Sequence, residues 1–148
     1  MAESVIVVCD SCGTKNRIPR DRIDQGPLCG RCKQPLGREQ IFTAPVTATD
    51  QTFDQEVLAH RGGVIVDFWA SWCGHCKTME PVLSGLAKAY AGRIKIVKVN
   101  VDENASTAAR YRIMSLPSLV FFKAGKVVDS TVGALSRGEI ETRLKPLL

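Results

Sequence analysis

Two cysteines set two residues apart, Cys73 and Cys76 in Trp72-Cys73-Gly74-His75-Cys76, constrain this chain more than any other feature, because of what flanks them. Before them runs Val64-Ile65-Val66-Asp67-Phe68-Trp69-Ala70, an apolar stretch broken by one carboxylate, which reads as a buried β-strand. After them Met79, Val82, Leu83, Leu86, Ala87 and Tyr90 recur at helical spacing. The pair therefore sits where a strand hands over to a helix. Unpaired N–H groups and the positive dipole end of a helix N-terminus stabilise a thiolate there. The second cysteine lies one turn on, within reach of a disulfide with the first. Buried structural cysteines are the alternative, and the strand–CxxC–helix context argues against it.

The rest of the C-terminal two-thirds alternates strand and helix. Val46-Thr47-Ala48 reads as a short strand, and Asp50 is placed to cap a helix with Phe53, Val57 and Leu58 inward. Ile94–Val99 is a second buried strand and Ala105–Tyr111 a short helix. Leu119–Phe122, a turn at Ala124-Gly125, and Val127-Val128 predict an antiparallel hairpin. Ser136 with Glu139 predicts a capping box for a last helix carrying Ile140 and Leu144 inward.

The N-terminal segment differs in kind. It is short and turn-rich, and it holds Cys9, Cys12, Cys29 and Cys32, two CxxC pairs separated by 16 residues. A module of this size buries too little core to stand alone and needs a metal or disulfides. The spacing matches a zinc ribbon, each pair curling to present two sulfurs to one tetrahedral, structural ion. Two disulfides or an iron-only centre are the alternatives. The chain thus divides into a zinc-ribbon module (1–33), a linker (34–45) and an α/β domain (46–148).

Composition narrows the function classes. No apolar run reaches the length that spans a bilayer, and the acidic, short-apolar N-terminus lacks the marks of a secretory signal. Six cysteines without such a signal point to a reducing cytoplasm. The formal net charge of +5 is mild and evenly spread, which argues against nucleic acid as a partner. No glycine-rich dinucleotide loop is present, so neither nicotinamide nor flavin is expected on this chain.

From about Thr43 onward the chain resembles the thioredoxin family. The likeness rests on Val66-Asp67-Phe68-Trp69-Ala70-Ser71-Trp72-Cys73, on Lys98-Val99-Asn100-Val101-Asp102, and on Ser115-Leu116-Pro117-Ser118. It extends through Phe122-Lys123-Ala124-Gly125-Lys126 and Val132-Gly133-Ala134-Leu135. With the four preceding cysteines, the whole resembles the zinc-binding bacterial thioredoxin-2 type. The resemblance implies a thioredoxin fold, a central mixed sheet flanked by helices. It implies a bacterial cytoplasmic, monomeric protein-disulfide reductase, recycled by a flavin- and NADPH-dependent thioredoxin reductase.

The roles follow from residues and resemblance together. Cys73 is the expected attacking thiolate and Cys76 the resolving thiol. Asp67, a lone carboxylate in a buried strand, is costly there without a role or a partner. The resemblance makes it a proton relay for Cys76, with burial raising its pKa; a hydrogen-bonded structural aspartate is the alternative. Lys98 matches the family's lysine beside this aspartate. Pro117 is implied to be cis, leaving Leu116 free to pair with an extended substrate. Trp72, Gly74, His75, Leu116, Pro117, Val132, Gly133 and Ala134 together make an expected docking surface. His75 departs from the proline typical of the family and gives the Cys-Gly-His-Cys of protein disulfide isomerase. A charged histidine favours a thiolate and hence a more oxidising pair. An isomerase- or oxidase-like catalyst is therefore one rival; a zinc-ribbon binding module on a redox scaffold is another. His60 is expected at the surface.

Overall fold

The computed structural model describes residues 4–37 and 41–148. Its larger unit is a five-stranded sheet in the order β3-β5-β4-β6-β7. The strands are β3 (Val46–Thr47), β4 (Gly63–Trp69), β5 (Ile94–Asn100), β6 (Ser118–Lys123) and β7 (Lys126–Val132). The first three are parallel, and β6 and β7 run antiparallel to their neighbours. Three helices, α1 (Gly74–Ala89), α2 (Ala105–Arg110) and α3 (Arg137–Leu144), join a π-type turn at Asp54–Leu58 in covering the sheet.

Strand alternation sorts the core into two layers. Ile65, Ile96, Leu119 and Phe121 pack with Met79, Leu83 and Leu86 of α1 and Ile140 and Leu144 of α3. Val64, Val66, Phe68, Val97, Val99 and Phe122 pack on the other face with Phe53 and Val57. Asp67 is two residues from Ile65 and so lies on the α1 face, where it pairs in register with Lys98 of β5 and Leu119 of β6. Both β4 and β5 end at the same edge, where the chain turns into α1.

The local signals read from sequence recur as geometry. The β6–β7 turn places Ala124 at φ 51° and Gly125 at φ 78°, the double left-handed turn that suits hairpin twist. A one-residue irregularity between Phe121 and Phe122 leaves both Val127 and Val128 half exposed. The Ser136 hydroxyl accepts from Glu139 N–H, while the Glu139 carboxylate accepts from Ser136 N–H (both 3.2 Å). Asp50 corrects expectation. Its carboxylate accepts from the backbone N–H (2.9 Å) and hydroxyl (2.6 Å) of Thr107, so it caps α2 rather than its own segment. Asn104 answers by accepting the Asp50 N–H at 2.9 Å. A capping residue satisfies whichever helix end the fold brings to it, and sequence distance hid this one.

In the N-terminal unit β1 (Ser4–Val8) and β2 (Lys15–Pro19) pair antiparallel. Val5, Val7, Ile18, Ile23 and Leu36 surround Cys9 and Cys29, with Ile41 packed against them. This unit docks at the far end of α1 from Cys73: Val8 N–H donates to Gly92 O at 3.2 Å. Gly92 sits at φ +84°, and a Cβ there would be driven into the Ile6 carbonyl. Gly92→Ala is therefore expected to lower unfolding stability by about 2 kcal/mol or more, from left-handed strain plus the backbone collision. Urea unfolding checks this; an unchanged midpoint would show that the close approach is dispensable.

Candidate active site and metal centre

Cys73 occupies the N-cap of α1 in extended backbone conformation, and its sulfur accepts the Cys76 N–H at 3.1 Å. A disulfide joins Cys73 to Cys76, with Cα atoms 5.3 Å apart. Both cysteines are buried, and the intervening Gly74 and His75 are exposed. The strand-to-helix turn thus presents the dithiol at the helix N-terminus that the sequence pattern demanded.

Beside the disulfide, Trp72 is 70% exposed, and its indole N–H donates to Asp102 Oδ2 at 2.9 Å. Asp102 follows β5, and its own N–H donates to Asn100 Oδ1 at 2.9 Å. Sequence reasoning did not give Asp102 this anchoring role; its place just after β5, next to the end of β4, was the available signal. The Leu116–Pro117 peptide is cis, as the resemblance implied. Pro117 is buried and Leu116 half buried, and Gly133, at φ 94°, donates its N–H to Pro117 O at 2.8 Å. The cis-proline loop and the turn after β7 are thereby held together. Met114 is 93% exposed at the start of this loop and was also missed. Its place three residues before Pro117, beside the cis-proline loop, was its signal. Val132 is likewise exposed, as expected of a docking surface.

Asp67 is fully buried, and neither carboxylate oxygen has a hydrogen-bond partner among the described residues. Burial pushes its pKa up to about 7; the Lys98 charge opposes this and Glu80 reinforces it. Lys98 does not reach the carboxylate. Its Nζ donates to Glu80 Oε1 at 3.3 Å and lies 4.6 Å from the centre of the Trp69 ring. The structural-aspartate alternative needs hydrogen bonds that Asp67 lacks in this arrangement.

The four remaining cysteines converge. Their sulfurs all lie within 4.8 Å of one another, with Cys9–Cys32 at 3.5 Å and Cys12–Cys29 at 3.6 Å. A regular tetrahedron with zinc–sulfur bonds of about 2.3 Å has edges of about 3.8 Å. Two like turns build the set. Gly13 N–H donates to Cys9 O and Lys33 N–H to Cys29 O, with Gly13 and Lys33 both at positive φ. Cys29 Sγ accepts from Arg31 N–H (3.4 Å) and Asn16 Nδ2 (3.5 Å). Amide donation from Cys32, with Arg31 and Asn16 contributing, lowers the Cys29 thiol, while at Cys32 amide donation from Gln34 is outweighed by burial and the neighbouring sulfurs, which raise it, so the four sulfurs share their protons unequally. This donor set suits a thiolate-bound metal.

His60 is not a surface group. Its side chain is only 9% exposed, wedged between Asp10, with Nδ1 3.8 Å from a carboxylate oxygen, and the ring of Phe42. Burial, then the nearby Lys95 charge, lowers its pKa. Docking of the N-terminal unit covers it, which local sequence does not reveal.

Comparison with known proteins agrees with this geometry. Residues 44–146 match the thioredoxin family model, and residues 8–34 match a model described as the N-terminal part of thioredoxin 2, a zinc ribbon. A thioredoxin 1 from Nostoc sp. is 47% identical over 104 residues, covering 70% of this chain and 97% of that protein. A thioredoxin 1 from Synechococcus elongatus is 48% identical over 103 residues, covering 70% and 96%. A thioredoxin from Pseudomonas aeruginosa is 45% identical over 95 residues, covering 64% and 88%. Among the described residues no helix is long and apolar enough to cross a membrane. A dithiol at a helix N-terminus, in a sheet of this order and with relatives of this closeness, leaves one conclusion: the chain belongs to the thioredoxin family and is a thiol–disulfide oxidoreductase.

Proposed function

We propose that this protein reduces disulfides of other proteins through Cys73, Cys76 and Asp67, in the bacterial cytoplasm and as a monomer. The Cys73 thiolate attacks one sulfur of the substrate disulfide and forms a mixed disulfide; the other substrate sulfur leaves as a thiolate and takes a proton. Asp67, as carboxylate, removes the Cys76 proton. Cys76 then attacks Cys73 Sγ, which releases the second substrate thiolate and leaves the Cys73–Cys76 disulfide. The observation that carries this reading is the Cys73 N-cap of α1 together with a buried carboxyl, without a hydrogen-bond partner among the described residues, on the sheet face that α1 covers. A thioredoxin reductase using flavin and NADPH would restore the dithiol. Trp72, Gly74, His75, Leu116, Pro117 and Gly133 would receive the substrate chain, with Leu116 pairing its backbone.

Cys9, Cys12, Cys29 and Cys32 would hold one zinc, which gives structure rather than chemistry. The ribbon (1–33) and the thioredoxin domain (46–148) are then joined by a connector (34–45) whose Leu36 and Ile41 pack on the ribbon core.

The test is the Cys76→Ser variant incubated with a disulfide-bearing protein. A stable mixed disulfide through Cys73, identified by mass spectrometry, is expected; a trap through any other cysteine overturns the assignment. His75 favours a second, isomerase-like reading, because it is exposed next to the pair. Equilibration with glutathione decides. We expect a reduction potential between about −270 and −180 mV, the values for thioredoxin and the isomerase. A value at the upper end would give isomerisation equal weight.

A further inference from the structure

The hydrogen bonding around Asp67 contains an arrangement that cross-strand pairing alone would not give. Lys98 is the direct β5 neighbour of Asp67, on the same sheet face. Opposite charges so placed ordinarily pair. Yet both Asp67 oxygens lack hydrogen-bond partners among the described residues, and the ammonium is 3.3 Å from Glu80 and over the Trp69 ring. Glu80 projects from α1, one turn beyond Cys76. We propose that Glu80 is a positioning residue that holds the Lys98 ammonium on Trp69 and away from Asp67, so that the carboxylate is left free to take the Cys76 proton.

The inference rests on the proton-transfer reading of Asp67 above. Its chemistry is direct. The proton passes from Cys76 sulfur to Asp67 oxygen, the Cys73–Cys76 bond forms, and the Cys73–substrate bond breaks. A carboxylate paired to an ammonium is a weak base for a thiol, because the ion pair favours the charged form. A buried carboxylate kept out of such a pair accepts the proton readily, because burial disfavours its charged form. The groups around Asp67 can be named: Lys98 on β5, Glu80 on α1, and uncharged Leu119 on β6. Glu80 therefore works in two ways, by restraining the one cation and by its own negative charge. As a mere surface ion pair, with side chains 50% and 19% exposed, Glu80–Lys98 would contribute little to stability, and Glu80 would act on Asp67 only through its own charge, equally with or without Lys98.

The experiment compares wild type with Glu80→Gln, Lys98→Gln and the double variant, all oxidised and zinc-loaded. Carboxyl NMR follows the titration of Asp67. We expect Glu80→Gln to raise the Asp67 ionisation constant at least about threefold, half a pH unit downward in midpoint. In the Lys98→Gln background the same change should be less than half as large on the pH scale. An unmoved midpoint in Glu80→Gln overturns the proposal; an equal shift in both backgrounds overturns positioning through Lys98. The pH profile of mixed-disulfide resolution, read in single turnover, should move the same way in Glu80→Gln. Asp67→Asn separates the two layers: if it keeps the wild-type profile, the proton-transfer reading fails, while the NMR comparison still decides what Glu80 does to Lys98.

Discussion

Replacing Asp67 by Asn should make the oxidised protein more stable relative to wild type by about 4 kcal/mol at pH 8, and by almost nothing near pH 3. The number comes from the buried carboxyl, whose pKa is raised from 3.8 to about 7, at about 1.4 kcal/mol per pH unit. The sign follows from proton counting. Between about pH 4 and 7 the unfolded chain has released this proton and the folded protein still holds it. Stability then falls as pH rises, because the unfolded state binds fewer protons. Above about 7 the folded carboxyl is ionised as well and the penalty is constant; below about 4 neither state is ionised and the penalty is absent. Asn has no ionisation, so the difference between variant and wild type isolates this one group. The intercept at low pH is small, because a neutral carboxylic acid and an amide leave similar unpaired polar atoms in the same buried place. Keeping the disulfide closed removes the Cys76 thiol from the titration. Urea unfolding at a series of pH values measures the effect, and a difference flat with pH would show that Asp67 ionises normally in the fold.

That penalty explains why the site could be read from sequence. A carboxylate in Val64–Trp69 conflicts with everything around it, and a residue that conflicts with its local pattern marks chemistry. The same holds for Cys73 and Cys76, whose reactivity comes from a helix end that local periodicity already predicts. The β6–β7 turn and the Ser136–Glu139 box were legible because their partners are three residues apart or fewer. What escaped was non-local. Asp50 caps α2 across 57 residues, Asp102 anchors Trp72 across 30, and His60 is covered by a unit that begins at the other end of the chain. Lys98 shows the limit most clearly. Its register beside Asp67 was implied by the family likeness, but its partner on α1, Glu80, looked like any exposed helix charge.

Removing the metal should unfold residues 4–37 while the thioredoxin domain stays folded. The ribbon's core consists of a few aliphatic side chains around Cys9 and Cys29, far too little to offset the chain entropy of so many ordered residues. Structural zinc contributes on the order of 10–16 kcal/mol of apparent binding free energy in small modules at neutral pH. Loss of a metal held that tightly would exceed anything else that holds this unit among the described residues, including the Val8–Gly92 hydrogen bond. The thioredoxin domain, by contrast, buries two complete apolar layers of its own. A strong chelator added to reduced protein should therefore abolish hydrogen-exchange protection at Val5, Val7 and Ile18, and leave Ile65, Val97 and Phe121 protected. Cys29→Ser should reproduce this without chelator. Under oxidising conditions the outcome should differ. The sulfurs of Cys9 and Cys32, and of Cys12 and Cys29, already lie closest together, so two disulfides bridging the turns could take over the metal's task. Protection that survives chelation in reduced protein would mean that the four cysteines do not depend on a metal, and the zinc assignment would fall.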